Sequence, residues 1–284
     1  MVGGSAFDRR RVTAGRPLGA VSGLTVSSKA VLVRKNAHPT LSTPTPRPTP
    51  VALVLLPGLA GHAAEFAAQV DHLGGSRPVL PLEVDVEGDL SVAALADRVV
   101  DLVREAGLDR FVILGHSVCG MVALHVAATK PSGLAGVVVL DSAVLLPAVA
   151  RVALRLPLLL LRTPLARPLL RRFFDATFAA ADDEAFRAEV RERLATTPLR
   201  AQRALTQMNF TYDSGRALRV AEVPALVVRA NIPVDLERLP AHVRRATVAD
   251  VGHWPHVHAS EAVNELLDDF LADVDGQAGV SLAS

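Results

Sequence analysis

Short, nearly unbroken apolar runs recur along the chain at Val51–Leu56, Arg110–Leu114, Leu134–Leu140 and Ala225–Arg229. Runs of this length without polar alternation predict strands buried on both faces, as in a parallel sheet. Pro78–Val84 and Ala246–Ala249 read as two further strands. Helical stretches fall between them: Ala63–Leu73, Ser91–Ala106 with Ser91 as its N-cap, Val118–Thr129, Leu236–Val243 and a closing helix Ser260–Val274. This alternation predicts an α/β fold, a mostly parallel central sheet covered by helices on both faces.

Two regions depart from it. From Ser142 to Glu222 no strand pattern appears, and the segment reads as an inserted set of helices. Its first part, to Arg172, holds six arginines and no acidic residue, and Pro147, Pro157, Pro164 and Pro168 cut it into short pieces. The part from Asp175 to Arg203 is mixed in charge and amphipathic. At the other end, residues 1–20 lack periodicity, Leu24–Val33 suggests short strands, and His38–Pro50 is a Pro/Thr/Ser-rich extended linker. The expected organisation is a tail over 1–50, a first core segment over 51–141, a helical cap over 142–222 and a second core segment over 223–284.

Composition narrows the function classes. Half of the 284 residues are hydrophobic and only 4% aromatic, so the core is large and aliphatic. A formal net charge of +1 argues against nucleic acid as a partner, which needs a concentrated basic surface. The charge is uneven, however: residues 1–50 carry eight basic residues against Asp8. One cysteine excludes an internal disulfide framework and disfavours a cysteine-based metal site, which fits a reducing, cytoplasmic setting. No secretory h-region follows the first arginines, and no run of eighteen apolar residues occurs, so no transmembrane segment is expected.

The chemistry centres on Gly115-His116-Ser117-Val118-Cys119-Gly120, which joins an apolar strand directly to a helix. A serine on so sharp a turn needs small residues beside it, and the helix start aims free N–H groups at whatever the serine attacks. Serine is a poor nucleophile until a base takes its proton. His253, in the loop Asp250–Pro255 before the last helix, is the candidate base. Two donors are needed for a developing oxyanion. The Val118 N–H is one. The other is assigned to Leu59, in the loop after the first strand, where Gly58 and Gly61 allow close approach. His116 reads as a packing or hydrogen-bonding residue. His256 and His258 have no evident acidic or cysteine partners for a metal, and no metal or organic cofactor is expected.

Four segments now match one pattern in order and spacing: LPGLAG, GHSVCG, VVVLD and VGHWPH. From about Val51 to Val274 the chain resembles the α/β-hydrolase superfamily, in its capped, serine-nucleophile form. The resemblance implies Ser117 as nucleophile, His253 as general base, and Leu59 and Val118 as oxyanion donors. Pro57 stands where many members have histidine, and Cys119 replaces a usual glycine. The acid has two candidate positions. Many members carry it after the strand matching Ala225–Arg229, where only Asp235 lies nearby; others carry it after the strand before the cap, where Asp141 stands. Asp141 is favoured. The implied activity is hydrolysis of an apolar acyl ester through an acyl-serine, with thioester, lactone or carbon–carbon bond cleavage open to the same groups. Two other readings remain: a non-catalytic ligand-binding member, and a protein that docks on membranes through its arginine-rich cap and basic tail.

Overall fold

The computed structural model describes residues 49–281. The short strands expected within Leu24–Val33, and the linker as far as residue 48, lie outside the described residues. The elements run β1 (Ala52–Leu56), α1 (Ala67–Leu73), β2 (Val79–Pro81), α2 (Val92–Glu105), β3 (Phe111–His116), α3 (Val118–Thr129) and β4 (Leu134–Leu140). Five helices follow: α4 (Ala148–Leu160), α5 (Ala166–Asp175), α6 (Glu184–Thr196), α7 (Leu199–Thr211) and α8 (Ser214–Val220). Then come β5 (Ala225–Arg229), β6 (Val243–Thr247), α9 (Pro255–His258) and α10 (Ser260–Ser281). All strand pairs are parallel, in the order β2-β1-β3-β4-β5-β6.

Strand side chains point alternately to opposite faces, and here both faces are apolar. Ala52, Val54, Phe111, Ile113, Val137, Val139 and Val227 face one core, closed by Leu95 and Val99 of α2 and by α3. Leu53, Leu55, Val112, Leu114, Val138 and Val228 face the other, closed by Leu73 of α1 and by Val263, Leu267, Phe270 and Val274 of α10. This is why the central strands read as unbroken apolar runs. The Ser91 hydroxyl accepts from the Ala94 N–H and starts α2 as expected.

The far edge differs from the sequence expectation. Leu236–Val243 is not a helix: only Leu236–Arg238 forms a 3-10 turn, and the last strand is Val243–Thr247 rather than Ala246–Ala249. As an edge strand, β6 exposes Arg244, Arg245 and Thr247 and so carries no apolar run.

Candidate active site

Three strand ends converge on Ser117. β3 delivers the serine and β4 delivers Asp141, while the chain beyond β6 delivers His253. Ser117 takes φ 54° and ψ −127°, a strained conformation for a residue with a Cβ. The turn closes only because its neighbours are small. A Cβ on Gly115 would lie 2.1 Å from the Cys119 carbonyl oxygen, and one on Gly120 would lie 2.0 Å from Ser142 Oγ. The substituted position, Cys119, is buried in the core and blocks nothing. The further glycine that this turn requires is therefore Gly120.

Ser117 Oγ stands 2.8 Å from His253 Nε2, and His253 Nδ1 stands 2.6 Å from Asp141 Oδ2. An ionised carboxylate only accepts, so Nδ1 carries the ring proton and Nε2 is left as the acceptor for the serine hydroxyl. Asp141 is fully buried, and its other oxygen accepts from the Ala230 and Ile232 N–H groups at 2.8 and 2.9 Å. Burial by itself would raise its pKa. The hydrogen bond and charge of His253 and these two amides reverse that and hold it below the ordinary value. The loop after β5 thus supplies backbone donors to Asp141 and no carboxylate to the His253 ring. Asp235, in the same loop, is half-buried before the 3-10 turn and takes no part in the hydrogen bonds of the His253 ring.

Leu59 and Val118 line one narrow cleft with Ser117 and His253, together with Phe173, Phe174, Thr206, Asn209, Phe210 and Ile232. The loop carrying Leu59 runs tight against the serine: a Cβ on Gly58 would come within 2.9 Å of Ser117 Cβ. Val118 opens α3, whose first N–H groups have no partner within the helix.

A model of the alpha/beta hydrolase family matches residues 53–266. The chain belongs to the alpha/beta hydrolase family. Solved structures agree in fold. A thermophilic esterase from Thermogutta terrifontis is 20% identical, with a TM-score of 0.64, covering 80% of this chain and 91% of that one. The enol-lactonase from Burkholderia xenovorans LB400 is 18% identical, with a TM-score of 0.63, over 79% of this chain and 92% of that one. A Rhizobium rhizogenes protein provisionally named a carbamate hydrolase, RutD, is 28% identical over 93 residues. That match spans 30% of this chain and only 36% of the relative's length.

Of the helices between β4 and β5, α5 and α7 supply Phe173, Phe174, Thr206, Asn209 and Phe210 to the lining of this cleft, and others brace it. The Thr177 carbonyl accepts from the His253 N–H at 3.0 Å. Trp254 is buried beneath the insertion, stacked on Phe178 at 4.9 Å and edge-on to Phe186. Arg193 of α6 donates through Nε to the Ala60 carbonyl at 2.8 Å and pairs with the Glu65 carboxylate. Ser142 Oγ donates to the Ser117 carbonyl at 2.6 Å.

Behind Ser117, His253 and Asp141 sits a buried network that the sequence did not disclose. His116 Nε2 donates to the His253 carbonyl at 2.7 Å, and its ring lies 4.5 Å from that of His256. His256 Nε2 lies 3.7 Å from Glu65 Oε2, so His256 does have an acidic neighbour, though Glu65 is distant in sequence. Glu65, His116 and His256 bring ligand-type atoms within 4.8 Å of one another. The Arg193 guanidinium already occupies the Glu65 carboxylate, and a fixed cation there opposes a metal ion. Burial keeps His116 neutral, its pKa well below the usual value, and lowers His256 to about 3. Burial likewise raises the Cys119 thiol to about 12, which leaves it inert as a nucleophile.

Proposed function

We propose that this alpha/beta hydrolase cleaves a carboxylic ester of a small to medium apolar acyl group through an acyl-serine intermediate. The observation that carries the reading is the unbroken hydrogen-bonded line Ser117–His253–Asp141 at the floor of an apolar pocket. Ser117 Oγ attacks the carbonyl carbon while His253 Nε2 takes its proton. The oxyanion is met by the N–H groups of Leu59 and Val118. His253 returns the proton to the leaving alkoxide, then takes one from the water that attacks the acyl carbonyl and passes it to Ser117 Oγ as the C–Oγ bond breaks and the acid leaves. Asp141 holds the tautomer and stabilises the imidazolium. The pocket walls, Phe173, Phe174, Phe210 and Ile232, favour an aliphatic or aromatic acyl group over a charged one. No step calls for a metal or organic cofactor.

The test is labelling by a fluorophosphonate together with a hydrolysis screen over acyl lengths. Wild type labels at Ser117 and turns over p-nitrophenyl esters. Ser117→Ala loses both, with a rate drop of roughly 10³-fold or more. A folded wild type that neither labels nor hydrolyses any ester sinks this reading in favour of a non-catalytic binding protein.

A further inference from the structure

The insertion carries a surface that the hydrolytic reading does not use. Six large hydrophobic side chains stand out as exposed among the described residues: Val149, Val152, Leu156, Leu159, Leu165 and Val220. Four belong to α4, at 78%, 61%, 63% and 61% exposure, and Leu165 follows directly at 56%. Their spacing of three, four and three residues puts Val149, Val152, Leu156 and Leu159 on one stripe of the helix. The opposite side of α4 is also apolar: Leu154 packs against Ala143, Leu146 and Ile232, and Leu158 packs on Leu161, Ala166 and Leu170. A helix apolar on its inner face needs no apolar outer face to fold. The outer stripe needs a covering of its own.

Charge identifies the covering. Between Asp141 and Asp175 the chain has arginines at six positions and no acidic residue. Arg155 and Arg162 are exposed beside the stripe, and Arg167, Arg171 and Arg172 continue the exposed basic ground along α5. A second copy docked face to face would set these arginines against each other. The sequence of residues 1–50, with eight basic residues against one acid, does not complement that charge either. An apolar stripe rimmed by arginines matches a surface that offers acyl chains below and negative headgroups above.

We propose that α4 and the start of α5 dock this protein on an anionic lipid bilayer, with α4 lying in the interfacial plane. Val149, Val152, Leu156 and Leu159 enter the acyl boundary, and Arg155 and Arg162 meet lipid phosphates. The packing of α4 sets the consequence. Its inner residue Leu154 packs against the cluster of Ala143, Leu146 and Ile232, and Ile232 lines the Ser117 pocket. One helix diameter, about 10 Å, therefore separates the membrane from the pocket wall. Docking delivers the active-site mouth to molecules dissolved in the bilayer. The binding itself does not depend on Ser117.

The test is vesicle co-sedimentation of the full chain carrying Ser117→Ala, so that turnover plays no part, on phosphatidylcholine vesicles with and without 30% phosphatidylglycerol. Strong binding is expected to the mixed vesicles and weak binding to pure phosphatidylcholine. The paired change Val152→Glu/Leu156→Glu, at exposed positions, is expected to lower partitioning roughly tenfold or more. Arg155→Glu/Arg162→Glu does the same through the charge. Placed in the Ser117 background's parent, both pairs leave hydrolysis of a water-soluble short ester and the melting temperature unchanged, which shows the fold intact. Equal binding to neutral and anionic vesicles overturns the proposal. So does binding that survives both paired changes, since it then belongs to another surface. So does concentration-dependent dimerisation that Leu156→Glu abolishes without vesicle binding, which assigns the stripe to a second copy.

Discussion

At Asp141 the protein holds a charge in its core, and the surroundings explain why the charge survives. Four acceptor positions on the carboxylate meet one imidazole N–H and two backbone N–H groups, so little of it is left unpaired. Asn in its place keeps the shape but cannot enforce an Nδ1–H tautomer on His253. Asp141→Asn is therefore expected to lower kcat by about 10⁴-fold while KM changes little. Asp235→Asn, at a carboxylate that takes no part in the hydrogen bonds of the ring, is expected to stay within about twofold of wild type. Steady-state kinetics on one ester decides between them, and near-normal turnover by Asp141→Asn removes it from the mechanism. At this scale the sequence was legible where chemistry is local. The Gly115–Gly120 turn announces itself through glycines at fixed offsets. Asp141 was favoured over Asp235 without a contact to argue it from, because the contacts that hold its carboxylate come from Ala230 and Ile232, some ninety residues away.

Among the elements, legibility followed burial. β1, β3, β4 and β5 are buried on both faces and read directly as apolar runs. β6 is half-exposed at the sheet edge and gave an ambiguous pattern, hence the misplaced strand and helix there. The insertion read as helical because its prolines and apolar spacing are local signals, whereas its bracing of the site is a tertiary property. Arg193 shows this best: from α6 it reaches Ala60, itself at φ 57°, in the loop that carries Leu59. Arg193→Met removes the donor to the Ala60 carbonyl and the charge beside Glu65 together, and is expected to destabilise the fold by about 3 kcal/mol. Arg193→Lys keeps the charge but not the Nε donor. It is expected to retain most of that stability while kcat falls about tenfold with KM little changed, because the loop and its N–H lose their fixed aim. A merely structural role for Arg193 instead predicts that kcat of the folded lysine variant matches wild type.

For the molecule as a whole, the buried network of Glu65, His116 and His256 couples stability to pH in two opposing directions. Burial raises Glu65 to about 7, outweighing the pull of Arg193, the His62 backbone contact and the His62 and His253 charges. Between its ordinary value of 4.5 and about 7 the native state holds a proton that the unfolded chain has released. Stability from this group is then complete below pH 4.5 and is lost as pH rises through 7, a change of about 3 kcal/mol. His116 and His256 act with the other sign, since both stay neutral in the fold. Below pH 6.5 the unfolded chain takes up protons that they refuse, so their part of the stability falls as the solution is acidified. The two effects overlap between pH 4.5 and 6.5 and partly cancel, which flattens the wild-type profile there. Glu65→Gln deletes one of them. The stability of wild type minus that of the variant is expected to drop by about 3 kcal/mol from pH 4.5 to 7.5, read from urea unfolding at each pH. Parallel profiles for the two proteins would mean that Glu65 is ionised throughout this range and that its pairing with Arg193, not burial, sets its charge.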